Sequence, residues 1–179
     1  MMPQDILDFW FSEETKPYWF AKSDEFDNKI REKFFTTWQE AAAWELFAWR
    51  NTLEGRLAEI IVLDQFSRNL HRNSPLAFSQ DSMAVVLSQE IYQQDNFSEL
   101  PENQRKFALM PLMHSESRKI HEWVMELFKK YTDSITVEFE ARHKAIIDRF
   151  GRYPHRNIIL NRTSTTEEID FLKEPNSWF

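Results

Sequence analysis

The sequence predicts an all-α protein, about eight helices in a tetratricopeptide-like helical array, and three observations carry the helical part of that prediction. Only 2 glycines stand against 16 Phe and 7 Trp, whereas sandwiches, barrels and glycine-rich phosphate loops need positive φ repeatedly. Apolar residues recur at helical intervals in successive segments, and no segment alternates convincingly with period two. The segments are separated by short polar or proline-bearing breaks, without a Pro/Ser-rich linker or low-complexity tract. A single domain over residues 1–179, 42% hydrophobic, is long enough to bury a real core.

The elements follow in order. Pro3 to Phe11 reads as a short amphipathic helix with proline in its permitted first turn. Phe26, Ile30, Phe34 and Trp38 mark one face of a helix opening near Ser23 or Asp24 and running to about Trp49. Asn51-x-x-Glu54 resembles a capping box for the stripe Leu53, Leu57, Ile60, Ile61, and Asp64 continues that stripe, so its carboxylate should face inward. Ser74-Pro75 restarts the chain, and Asp81 or Ser82 caps a helix carrying Met83, Val86, Leu87 and Ile91. Pro101 opens the next helix, which Pro111 is expected to disturb by removing a backbone donor. Ser115 is the expected cap of a helix with Ile120, Trp123, Leu127 and Phe128 inward. Ser134 to Phe150 has Phe139, His143, Ile146, Ile147 and Phe150 at helical spacing, and Ser164-x-x-Glu167 is a capping box for a last helix.

Composition narrows the function. Without cysteine there is no disulfide, thiolate nucleophile or thiolate metal site. The first residues, MMPQDILDFWF, lack a cationic segment and carry two Asp, unlike a signal peptide. The apolar run Ile60 to Leu63 is far short of the roughly 20 residues a membrane span needs. A soluble, cytoplasmic protein with no membrane partner is expected. A net charge of −7 disfavours nucleic acid, which requires a basic face.

One charged phrase occurs twice: DQFSRNLHRN from Asp64 and DRFGRYPHRN from Asp148, both D-x-F-x-R-x-x-H-R-N. Asp64 with Arg68, and Asp148 with Arg152, can pair across a helical turn, each worth about 0.2–0.5 kcal/mol when exposed. That pairing leaves other charges unassigned. From Asp148 through Arg162 four arginines face one aspartate, a window of +3 inside an acidic protein. Clustered guanidinium forks without enough acids invite a carboxylate or phosphate. Each phrase ends a helix and enters a loop, where polar side chains can converge on a rigid support. The competing reading ties Arg68 and Arg152 to helix-terminal carbonyls.

His155, among cations, is the foremost proton-transfer candidate, its neutral form favoured near pH 7. His114, in His114-Ser115-Glu116 at a helix junction, is the second. His143 lies in an apolar stripe and reads as a core histidine. No H-e-x-x-H spacing, Walker loop, dinucleotide fingerprint or G-x-S-x-G occurs, so no metal is assigned and the cofactor is unknown.

The strings FWF, LDQFSRN, PLMHSE, RFGRYPHRN and R-x-S-T-x-E-E, spread over nearly the whole chain, resemble the bacterial family catalogued as domain of unknown function 924. The resemblance implies an all-α fold similar to tetratricopeptide-repeat proteins and no established activity. The chain itself has no W-x-x-L-G-x-x-Y string and no sustained 34-residue period. The family pattern carries over to Asp64, Gln65, Phe66, Arg68, Asn69 and Arg72, to His114, Ser115 and Glu116, and to Arg152, His155, Arg156 and Asn157, while His71 and Asn73 depart from it.

Three functions are consistent with these residues. The first is a small-molecule site, open to catalysis, in which Arg68, Arg72, Arg152 and Arg156 hold an anion, Asp64, Asn69, Glu116 and Asn157 support them, and His155 or His114 exchanges protons. The second is a helical scaffold holding an acidic peptide. The third is an internal charge network that fixes the fold. Trp and Phe near both chain ends leave monomer and dimer equally open.

Overall fold

The structure, a computed structural model, describes residues 1–175 and 177. With 53–70 taken as one continuous helix, the described residues form eight α-helices and no strand. They are α1 Pro3–Trp10, α2 Asp24–Ala42, α3 (Leu53–Ile61, a π turn Val62–Phe66, then Ser67–Leu70), α4 Asp81–Ile91, α5 Glu102–Met113, α6 Arg118–Tyr131, α7 Ser134–Phe150 and α8 Thr166–Phe171.

Helix α3 is the axis. Leu57, Ala58, Ile60, Ile61, Val62, Leu63 and Phe66 are all fully buried, with Glu59, Asp64 and Ser67 buried among them. Helices α1, α2, α4 and α5 pack on it, and α5, α6 and α7 then pack consecutively. This is an all-helical architecture centred on α3; a tetratricopeptide-like superhelix is an implication of the family resemblance alone.

The main core is aromatic. Trp10 meets Phe66 and Phe107 edge-on at 5.7 and 5.4 Å, and Phe34 stacks on Phe66 at 5.2 Å. A smaller cluster, Ile146, Ile147, Tyr153 and Phe171, lies apart from it. The buried Tyr153 hydroxyl joins the two by donating to the Met113 carbonyl at 2.6 Å. Of the aromatic residues near the chain ends, Phe20 is exposed and Trp10 buried, and Trp178 and Phe179 lie outside the described residues.

Several boundaries differ from expectation for identifiable reasons. Helix α2 stops at Ala42 because Trp44 adopts φ +64°. Its N–H reaches Ala41 O at 3.0 Å and the Glu45 N–H reaches Glu40 O at 2.9 Å, a Schellman ending with tryptophan where glycine is usual. Thr52, not Asn51, caps α3, accepting from Gly55 N at 3.0 Å. Helix α5 runs through Pro111, since the whole stretch Phe107 to Met113 is buried and packing outweighs the lost donor. Ser117 rather than Ser115 caps α6, and the final capping box is Thr165 with Glu168, one residue beyond the expected frame. The span Ser134–Phe150 is as expected, closed by Gly151 at φ +72°.

Two substitutions test this backbone. An alanine Cβ at position 55 would sit 1.9 Å from the Trp49 carbonyl oxygen. Gly55→Ala should therefore destabilise by about 1–3 kcal/mol despite alanine's better helix propensity. Trp44 is exposed, so Trp44→Gly should stabilise by about 1 kcal/mol through relief of the left-handed conformation. Urea unfolding midpoints measure both.

Candidate functional site

The π turn of α3 places Asp64 and Gln65 in the interior, with Asp64 1% exposed. Widened helical turns of this kind recur at functional sites. Side chains one turn later satisfy its carbonyls: Ser67 Oγ donates to Leu63 O at 2.5 Å, and Arg68 Nη1 donates to Asp64 O at 2.8 Å. The Asp64 carboxylate accepts from His114 Nδ1 at 2.8 Å and from Gln65 Nε2 at 2.5 Å, and Arg68 Nη1 lies 3.0 Å from Oδ1. Burial opposes ionisation, but the charge of Arg68 and the His114 contact overcome it and hold the pKa below the usual carboxylate range.

Asp81 was expected to cap α4, yet it is the first helical residue and makes no cap bond. Two guanidinium groups claim its carboxylate instead. Arg68 reaches it in bidentate fashion at 3.0 and 3.2 Å, and Arg156 Nη1 reaches Oδ2 at 3.1 Å. Arg156 also donates Nη2 to the His114 carbonyl at 3.0 Å, with its guanidinium 4.6 Å from the Phe78 ring centre and 4.7 Å from that of Tyr153. It is 6% exposed, and its Nε has no hydrogen-bond partner among the described residues.

Because ionised Asp64 can only accept, His114 Nδ1 must carry the proton. In the neutral ring Nε2 is therefore the basic nitrogen, and it has no hydrogen-bond partner among the described residues. Burial lowers the His114 pKa, and Asp64 recovers only part of that loss, so the ring is neutral at pH 7. His114 lines a cavity of about 470 Å³ together with Phe78, Asp81, Ser82, Ser115, Glu116, Arg156 and the apolar Pro75, Val85 and Leu160. Glu116 accepts the Tyr153 N–H at 2.7 Å and both Nη groups of Arg162 at 2.6 and 2.9 Å. Burial opposes its ionisation too, and the Arg162 and Tyr153 hydrogen bonds outweigh it.

Not every residue singled out in the sequence comes to this cavity. His114, Glu116 and Arg156 line it, and Asp64 and Arg68 stand behind them, bonded to His114 and Asp81. Asn69 and Arg72 turn to α2: Asn69 Nδ2 and Arg72 Nη2 donate to Asp27 at 2.7 and 2.9 Å. Arg152 pairs with Glu168 at 2.7 and 2.8 Å, not with Asp148, because Gly151 ends the helix before position 152. Asp148 pairs with Lys144 instead. Asn157 Nδ2 donates to Ser164 Oγ at 3.0 Å, and its Oδ1 accepts Arg162 Nε at 2.9 Å. His155 is buried outside the cavity wall, its pKa pushed down to about 3 by burial and then by Arg156. His143 is buried, with Nδ1 2.7 Å from Phe139 O.

The +3 window is compensated from afar: Arg149 meets Glu167, Arg152 meets Glu168, Arg156 meets Asp81 and Arg162 meets Glu116. Asp81 is the principal residue the sequence pattern missed, since its position before a helix reads as a cap. A second missed pair lies behind Ser115. His121 Nε2 donates to Ser115 O at 2.8 Å while Nδ1 faces Glu140 Oε1 at 2.7 Å, both side chains fully buried. One proton must lie between them, and burial raises the Glu140 pKa. Among the described residues no group of three or more His, Asp or Glu is arranged to hold a metal ion, and no helix is long and apolar enough to cross a membrane.

Fold and site together define an all-helical protein with a buried ionic network opening on a small-molecule-sized cavity. The chain belongs to the family described as bacterial protein of unknown function, DUF924, whose model matches residues 6–176. It is similar to a solved structure of a protein of unknown function from Agrobacterium tumefaciens, with 31% identity, 96% of each chain covered and a TM-score of 0.89. No curated protein matches it.

The buried histidines set the acid response. His143 and His155 have folded pKa values of about 3, against about 6.5 unfolded. Between those values the unfolded chain binds more protons, so their contribution is complete above about pH 6.5 and is lost as pH falls towards 3. Glu168, held at about 2 by Arg152, adds a further loss below the ordinary glutamate range. Stability from urea titrations should fall by about 1.4 kcal/mol per pH unit for each imidazole below pH 6.5, and His143→Gln with His155→Gln should flatten the slope between pH 6 and 4.5. A flat parent profile there would contradict this electrostatic account.

Proposed function

We propose that the cavity is a small-molecule site in which Arg156 holds an anionic group of the ligand, carboxylate or phosphate, and His114 exchanges a proton with the bound molecule. One observation carries this reading: His114 is locked by Asp64 through Nδ1 at 2.8 Å and leaves a basic Nε2 without a protein partner in a residue lining the cavity. A carboxylate that fixes the tautomer of a histidine is how proteins orient a general base. The 470 Å³ volume falls in the range of ligand pockets, about 300–1,000 Å³. Arg156 uses only part of its five-donor fork on protein acceptors. Its guanidinium lies over the rings of Phe78 and Tyr153, which restrict where the fork can turn.

The acidic-peptide scaffold draws on the solvent-open side of the cavity, where Pro75, Ser79 and Ser82 are exposed, and a peptide would place its terminal carboxylate on the same Arg156. The structural-network reading draws on the acid matched to each arginine and remains the main competitor. Thermal stabilisation by acetate, succinate and inorganic phosphate separates the two. The parent should be stabilised by at least one of them, and Arg156→Ala should fold yet lose at least tenfold in apparent affinity. His114→Gln should keep affinity within a few-fold, and ligand should shift the His114 Cε1 proton resonance in the parent. A parent that no anion stabilises, with Arg156→Ala unable to fold, would leave only the network.

A further inference from the structure

The charges around the cavity balance. Arg68 and Arg156 are matched by Asp64 and Asp81, and Arg162 by Glu116. A ligand bearing only a negative charge would place it beside the half-buried carboxylates of Asp81 and Glu116, whose repulsion weakens binding. A ligand that meets Arg156 with a carboxylate and also brings a cation keeps the site neutral.

The walls carry the matching acceptors. Each carboxylate oxygen can accept two hydrogen bonds. Asp81 Oδ1 accepts one, from Arg68 Nη1, and Glu116 Oε2 accepts one, from Arg162 Nη1. Each oxygen therefore has capacity left, and both residues line the cavity with the unpartnered His114 Nε2. Arg156, lining the same cavity, keeps one spare hydrogen on each Nη group, while its unpartnered Nε is sealed from solvent. Val85 and Leu160 supply an apolar wall.

From this pairing of a spare guanidinium edge with spare carboxylate lone pairs beside an apolar wall, we infer that the ligand is a small zwitterion, an α-amino acid with an apolar side chain. Its carboxylate lies on Arg156 and its ammonium on Asp81 and Glu116. The inference rests on the small-molecule reading above and specifies its ligand class. It also gives His114 a reaction partner: a neutral imidazole near the ammonium can accept one of its protons, yielding imidazolium and a free amine with total charge unchanged.

Calorimetric titration of the full chain with L-leucine, 4-methylpentanoate, 3-methylbutylamine and inorganic phosphate tests the class. L-leucine should bind at least tenfold tighter than 4-methylpentanoate, which lacks only the amino group, and tighter than the amine, which lacks the carboxylate. Glu116→Gln should reduce that preference several-fold while leaving affinity for 4-methylpentanoate within a few-fold. If Glu116→Gln does not fold, Asp81→Asn serves for the same ratio. Binding of 4-methylpentanoate or phosphate as tight as that of L-leucine would overturn the zwitterion and leave the anion site standing. Absence of binding by all four would overturn both.

Discussion

The buried charge of Asp64 is the constraint around which the site is arranged. An ionised carboxylate at 1% exposure must be fully partnered, and its partners come from its own turn, Gln65 and Arg68, and from fifty residues on, His114. Removing one member of such a pair costs about 3–5 kcal/mol because the other charge stays buried. The π turn belongs to the same arrangement. It lies midway along the most buried helix, and the Ser67 and Arg68 side chains bond two of its carbonyls. Orientation of Asp64, tautomer of His114 and position of Arg68 are thus one problem with one solution.

From Arg68 the network passes to Asp81 and Arg156, linking the end of α3, the start of α4 and the turn Pro154–Arg156. These segments lie between the aromatic core and the smaller cluster around Tyr153. Tyr153 contributes to both roles: its hydroxyl bonds Met113 O, and the Arg156 guanidinium lies over its ring. An ionic network between two apolar clusters is directional where apolar contact is not, so it fixes how the C-terminal segment meets the bundle. The His121–Glu140 pair, bonded to Ser115 O, holds the opposite side of the His114–Glu116 turn.

The doubled phrase shows why a sequence pattern and a site can overlap without being equivalent. In the first copy the helix continues, so Asp64 and Arg68 share a turn and pair at 3.0 Å. In the second, Gly151 ends the helix, and Arg152 turns to Glu168. The side chains that meet are Arg68 and Arg156, which hold different places in the phrase. Convergence arises from the path of the chain, not from repetition. Both copies still supply a site arginine, and the first supplies Asp64.

The sequence alone determined the helical class, the core stripes of α2 and α3, the inward direction of Asp64 and the span 134–150, because these rest on periodicity and local sterics acting within a few residues, while Val86 and Phe139, at stripe spacing, are exposed. It also marked Asp64, Arg68, His114, Glu116 and Arg156 as polar residues beyond the needs of helix packing. Tertiary structure alone decided which acid meets which arginine. That choice sent Asn69 and Arg72 to Asp27 and Arg152 to Glu168, and turned Asp81 from an expected cap into a shared anion for Arg68 and Arg156. The physical reason is the reach of electrostatics: a guanidinium pairs with whatever carboxylate the fold brings within about 3 Å, and for Arg156 that partner lies 75 residues away in the chain.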